Sequence, residues 1–193
     1  NAAGKVVHFS GASFKESSDP AMGFTFTGIQ VMEPEIFDRI PAGKFLGTTD
    51  SVFPKMVEEG LAVYAYVHKG YWADIGRRED YLNAHKYFLS GKAAPGTSLS
   101  SITPGGPNLQ SPVSIGPDCN ISETARVGPN AVLGKGCRVE EDAVVENSVC
   151  WDRAVIQRGA VVSESVIGND SVIPSGQVVQ RQLVASNKNP AGD

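Results

Sequence analysis

At 193 residues the chain is long enough for one good core or two small ones, so a two-part architecture is allowed. A formal net charge of −4 argues against a general nucleic-acid or anionic-membrane surface, because both need a basic excess to release counterions or meet lipid headgroups. No apolar run approaches the roughly 20 residues that span a bilayer and the start lacks a charged-then-apolar signal, so a soluble, cytoplasmic protein is expected, with neither nucleic acid nor membrane as partner.

The chain opens on Asn1 rather than Met, and its first residues read as the middle of a longer sequence, so a truncation is expected. Phe24 to Met32 reads as a strand. Pro34, followed by Glu35, Ile36 and Phe37, opens a short helix with Pro in its first turn, where the missing N–H costs nothing. Asp50 to Glu59 reads as a second helix, capped by Asp50 and ended by Gly60, and Leu61 to His68 alternates as a strand. Gly70-Tyr71-Trp72-Ala73-Asp74-Ile75-Gly76 then sets a single carboxylate between two glycines, after a strand and before a helix of about Arg78 to Leu89. In that helix Tyr81, Leu82, His85, Phe88 and Leu89 fall at helical spacing, and the whole stretch is an α/β fragment. An Asp in such a loop can hold Mg²⁺, which favours hard oxygen ligands and usually takes one or two protein carboxylates beside substrate phosphates. It can equally be a turn residue or a helix cap, and residue type alone leaves both open.

Ser90 to Ser101 and Thr103-Pro-Gly-Gly-Pro are rich in Gly, Pro and Ser, which fill no core, so residues 93–111 read as a linker. Beyond it, residues 115–150 return every six positions to an aliphatic side chain: Ile115, Ile121, Val127, Leu133, Val139 and Val145. Small residues form a second column, Cys119, Ala125, Ala131, Cys137 and Ala143, with Val149 closing it. Glycine follows the aliphatic residue at Gly116, Gly128, Gly134 and Gly168, giving freedom for a tight corner. Three hexapeptides make one triangular coil, so residues 112–180 are expected to form an all-β, left-handed parallel β-helix whose stacked coils bury one apolar column. From Trp151 to Val162 the period slips, and a distorted coil is expected there; residues 181–193 read as a tail. Cys119, Cys137 and Cys150 match neither zinc nor disulfide spacing and read as reduced, buried thiols, with Cys119 stacked on Cys137 one coil later.

The α/β segment resembles a known family. Phe26-Thr27-Gly28-Ile29-Gln30-Val31, Pro34-Glu35-Ile36-Phe37-Asp38 with Ile40-Pro41 and Gly43, Asp50 with Phe53-Pro54, and Gly70 to Gly76 with Tyr81 and Ala84 look like the C-terminal half of the Rossmann-like catalytic domain of sugar-1-phosphate nucleotidyltransferases. In that family a linker and a left-handed β-helix often follow. The resemblance implies a parent enzyme that joins a nucleoside triphosphate to a sugar 1-phosphate and releases pyrophosphate, with Mg²⁺ as cofactor. Asp74 matches the family's second metal-binding Asp; Phe26, Thr27 and Gly28 match the strand bordering the sugar, and Trp72 either walls that pocket or belongs to the core. The family's Gly-x-Gly-Thr-Arg-x-x-Pro nucleotide motif is absent, as are its first metal-binding Asp and the Glu-Lys-Pro that many members place before the sugar strand; Val7 to Ala12 does not supply the latter. The fragment alone is therefore expected to be inactive. Phe-Thr-Gly-Ile-Gln without Glu-Lys-Pro looks most like the branch using GTP with mannose 1-phosphate or a manno-heptose phosphate, while glucose-1-phosphate enzymes stay open.

His8, His68 and His85 are scattered, Arg77 and Arg78 begin a helix, and Arg126, Arg138, Arg153 and Arg158 alternate with acids; all read as solvated surface or helix positions. After His85 the chain has no His, which counts against a hexapeptide acyltransferase with a His base or a hydratase with His-ligated metal. The rival reading is a non-catalytic assembly or regulatory module, and a homo-oligomer through the β-helix is expected because its flat faces and open ends need covering.

Overall fold

The computed structural model describes residues 3–13, 23–92, 102–103 and 106–186. Most of the expected linker and the end of the expected tail lie outside the described residues. The chain forms two compact units, Asn1–Trp72 and Ala73–Asp193.

In the first unit β1 (His8–Phe9) and β2 (Ala12–Ser13) pair antiparallel. Pro34–Arg39 is a 3₁₀ turn with Pro at its start, and α1 (Phe53–Glu58) buries Phe53, Met56 and Val57. Val52, Phe53 and Met56 gather Phe9, Ile36, Ile40, Leu61 and Val63 around them. The expected helix from Asp50 is corrected: Thr48–Val52 is a π turn, no side chain caps α1, and Asp50 lies inside that turn, accepting from the Thr49 hydroxyl at 3.3 Å. Gly60, at φ +70°, closes α1 as expected. The expected strand Phe24 to Met32 does not form. A strand exists through its ladder; none of the described residues pairs with this one, and Gly28 at φ +82° breaks its extended course. Leu61 to His68 keeps one antiparallel bridge, Lys5 with Tyr64, flanked by the Val6 amide donating to the Val63 carbonyl at 2.8 Å.

The second unit holds α2 (Arg78–Leu89), as expected, and β3 (Ile102–Thr103) beside the β-helix. Among the described residues four coils are complete. The first is β4 (Val113–Ile115), β5 (Asn120–Ile121) and β6 (Arg126–Val127); the second is β7 (Ala131–Leu133), β8 (Arg138–Val139) and β9 (Val144–Glu146). The third is β10 (Val149–Cys150), β11 (Val155–Ile156) and β12 (Val161–Ser163); the fourth is β13 (Val166–Ile167), β14 (Val172–Ile173) and β15 (Val178–Gln180). β16 (Leu183–Val184) continues the stack past residue 180, where the sequence reading ended it. Each face is a ladder of parallel strands, one from each coil, and β3 adds antiparallel to β4.

The distorted coil expected from Trp151 to Val162 does not form; the period changes at a corner. Leu133 pairs with Ile115 eighteen residues back but with Cys150 seventeen ahead, and Ile167 and Val184 keep the shorter step. The missing residue is taken from the corner between β9 and β10, where Asn147 turns at φ 47°; Glu164 (φ 47°) and Arg181 (φ 54°) repeat that turn one and two coils later. One residue fewer exchanges inside for outside, because successive strand residues face opposite ways. Ser148, not Val149, therefore follows Ala131 on the inner column, and Val149 faces outward with Val132 and Val166, covered by Leu82 and Tyr81 of α2. The units divide at Trp72, and α2 packs on the β-helix through Leu82.

Ser148 and Ser165 are fully buried. The Ser148 hydroxyl donates to the Glu146 carbonyl at 2.7 Å and accepts from the Ser165 amide at 3.0 Å; the Ser165 hydroxyl does the same with Ser163 (2.7 Å) and the Gln182 amide (3.0 Å). Ser148→Ala strands the Ser165 amide in a dry interior and should cost about 1–3 kcal/mol, read as a lower urea midpoint at unchanged slope.

Cys119, Cys137 and Cys150 are free thiols; Cys137 and Cys150 are buried as expected, whereas Cys119 is half-buried, and the Asn120 amide donating to the Cys137 carbonyl at 2.9 Å sets Cys119 on Cys137. Burial pushes the Cys137 thiol up to about 11, and raises Cys119 and Cys150 as well. The raised values favour the neutral thiol over the nucleophilic thiolate.

Candidate functional site

The loop Ala73–Arg77 feeds α2. Asp74 is exposed there, and Arg77, extended at φ −123°, ψ 158°, is the N-cap residue. Glu79 and Asp80 sit in the first turn, where the helix dipole favours negative charge. Arg77 grips Asp80 with two bonds, Nε to Oδ2 at 2.8 Å and Nη2 to Oδ1 at 3.2 Å. That pairing raises Arg77 and lowers Asp80 from their ordinary values. Arg78, expected at the solvated surface, has a side chain only 16% exposed, and its guanidinium donates to the Arg181 carbonyl and to Glu79. Trp151 Nε1 donates to the Tyr81 hydroxyl at 3.1 Å. Ile75, Arg78, Tyr81, Trp151, Val166 and Leu183 line an open groove of about 490 Å³ between loop, helix and β-helix.

Phe26, Thr27, Gly28 and Trp72 belong to the first unit and Asp74 to the second. Phe26 is 41% exposed and meets the rings of Phe9 and Phe53 edge-on, with centroids at 5.6 and 6.5 Å. Thr27 is half-buried, and the space a Cβ on Gly28 would enter is open. Trp72 is 41% exposed. The Tyr81–Trp151 pair escaped sequence reasoning, since a hydrogen bond across seventy positions leaves no local signal. No group of three or more His, Cys, Asp or Glu that could hold a metal is gathered among the described residues. Asp74 is a single exposed carboxylate, and among the described residues no metal site is built around it.

Comparison with known proteins places both halves. Residues 13–91 match the Nucleotidyl transferase family and residues 109–189 the GMPPB C-terminal domain. A UTP--glucose-1-phosphate uridylyltransferase of Synechocystis sp. is 32% identical over 65% of this chain and 36% of its own length. A mannose-1-phosphate guanylyltransferase of Mycobacterium tuberculosis is 29% identical over 70% of this chain and 40% of its own, and mannose-1-phosphate guanylyltransferase 1 of Arabidopsis thaliana 28% over 68% and 33%. With a nucleotidyl transferase segment ahead of a parallel β-helix, the chain belongs to the sugar-1-phosphate nucleotidyltransferase family. It spans about 33 to 40% of the length of these three relatives. Among the described residues no helix is long and apolar enough to cross a membrane.

Proposed function

We propose that this chain serves as the C-terminal part of a cytoplasmic enzyme that joins a nucleoside triphosphate, GTP before others, to mannose 1-phosphate or a manno-heptose phosphate and releases pyrophosphate. The observation that carries the reading is Asp74, exposed on the loop before α2 inside the segment that matches the Nucleotidyl transferase family. The guanylyltransferase relatives favour the GTP branch. The sugar phosphate oxygen attacks the α-phosphorus, and because both reactants are anions the step needs charge neutralisation and in-line positioning more than covalent help. Asp74 would give Mg²⁺ one carboxylate, and the metal would supply charge neutralisation at the phosphates; in the first unit the backbone of Phe26, Thr27 and Gly28 with Trp72 would border the sugar. The Gly-x-Gly-Thr-Arg-x-x-Pro element does not occur in these 193 residues, so the chain alone turns over no substrate.

The second reading, a β-helix that assembles copies of the chain, is favoured by an outward valine stripe on one face. Val144, Val161 and Val178 lie in register, and Val178 is 62% exposed. The two readings are compatible, with a homo-oligomer built on that domain.

The catalytic reading is tested with a polypeptide that carries this chain and the nucleotide-binding motif together. Asp74→Asn should lower Mg²⁺-dependent pyrophosphate release at least about a hundredfold, close to 3 kcal/mol in the barrier. Unchanged release would remove Asp74 from the metal site.

A further inference from the structure

The family assignment leaves the β-helix without a part in the chemistry. The geometry points to one: Trp151 and Tyr81 are positioning residues that fix the Asp74 loop onto the third and fourth coils. Asp74 lies four residues before the first residue of α2, and Ile75 to Arg78 already line the groove against Trp151, Val166 and Leu183. Three contacts hold this strip. Leu82, 7% exposed, sits over Val149 and Val166; the Trp151 indole donates to Tyr81 one turn into α2; and Arg78, the first residue of α2, donates to the Arg181 carbonyl at the corner before β16. Leu82 rests on β10 and β13, Trp151 directly follows β10 and Arg181 precedes β16, so the helix that follows the loop is pinned along its first turn and a half.

The short corners make this possible. Removing one residue between β9 and β10 turned Val149 outward, and the same shortening turned Val166 outward one coil later; together they make the apolar floor on which Leu82 rests. With the eighteen-residue step kept, Val149 would turn inward behind Ala131 and Cys150 would stand opposite Val132, so the floor would lose its valine. The shortened coils thus build a seat for α2, and the seat sets where the carboxylate stands. A carboxylate held in place loses less freedom when it meets a metal than one on a loose loop, so the seat acts on metal affinity before it acts on substrate binding.

The inference rests on the reading of Asp74 as a metal ligand for its consequence in activity, and on geometry alone for the clamp, so two experiments separate them. On the 193-residue chain, amide exchange should show α2 protected together with β7, β10 and β13, and Leu82→Ala should speed exchange across α2 at least about tenfold while those strands keep their protection. An α2 that exchanges freely in the unaltered chain, or ignores Leu82→Ala, overturns the clamp.

In a polypeptide carrying both halves, Trp151→Phe and Tyr81→Phe, which keep a ring but lose the hydrogen bond, should raise the Mg²⁺ concentration for half-maximal velocity about three- to tenfold. Excess Mg²⁺ should restore kcat, with KM for both substrates unchanged, whereas Asp74→Asn should not be rescued. An unchanged Mg²⁺ requirement in both ring variants overturns the positioning role. If Asp74→Asn itself leaves velocity unchanged, the metal reading has failed, and the exchange experiment still decides the clamp.

Discussion

Ile156→Ala should lower the stability of the β-helix by about 3 kcal/mol, seen as a lower urea midpoint with little change in slope. Ile156 is 1% exposed and stacks in register between Val139 and Ile173, so truncation opens a void with coils on both sides. The neighbours cannot collapse into it, because each is held by its own ladder of backbone hydrogen bonds. Val184→Ala is the informative contrast. Val184 is half-buried and pairs with Ile167 alone among the described strands, at the end of the stack. In a solenoid each coil is stabilised mainly by its neighbours, so this second truncation should cost about 1 kcal/mol or less. Equal costs at the two sites would contradict a core that grows coil by coil.

Gly128→Ala should cost about 3 kcal/mol or more, for two reasons that add. Gly128 sits at φ +102°, where an L side chain is strained, and a Cβ there would lie 1.9 Å from the Gln110 carbonyl oxygen and 2.7 Å from Val113 Cγ1. The first atom is backbone and cannot rotate away. Gln110 in turn donates to the Val127 carbonyl at 2.8 Å, so the substitution pushes off the segment that opens the β-helix. Gly159→Ala isolates the conformational part: φ is +68° and nothing lies within 4 Å of the added carbon, so about 1 kcal/mol is expected. Thermal unfolding of the two variants side by side checks the difference. If Gly128→Ala is as mild as Gly159→Ala, the close approach of Gln110 is wrong.

The residues that could be read from sequence are those whose partners recur at a fixed period. Ile115 through Val145 were legible because every coil repeats the same demand for an aliphatic side chain, and all six pack in one cluster. The slip was visible but its sense was not: Ser148 and Val149 are both small enough for the inner column, and only the seventeen-residue step decides between them. α2 was legible from local spacing. The strand expected at Phe24 to Met32 was not decided locally, since β-propensity describes a side chain's fit to a sheet and supplies no partner. Asp50 looked like a cap because its residue type suits one, yet the chain reaches α1 through a π turn. For the site, the Gly70 to Gly76 element pointed to Asp74 and its place before a helix. What holds that helix, Trp151 and Val149, lies in another repeat and shows only once the coils are stacked.

The most direct measurement is pyrophosphate release with Mg²⁺ from a polypeptide that joins this chain to the nucleotide-binding motif, comparing GTP plus mannose 1-phosphate with UTP plus glucose 1-phosphate. Release with the first pair at least about tenfold above the second is the expected result, a discrimination within reach of one or two polar contacts to base and sugar. No release with either pair, from a folded and Mg²⁺-supplied protein, would contradict the assignment of this chain to nucleotidyl transfer.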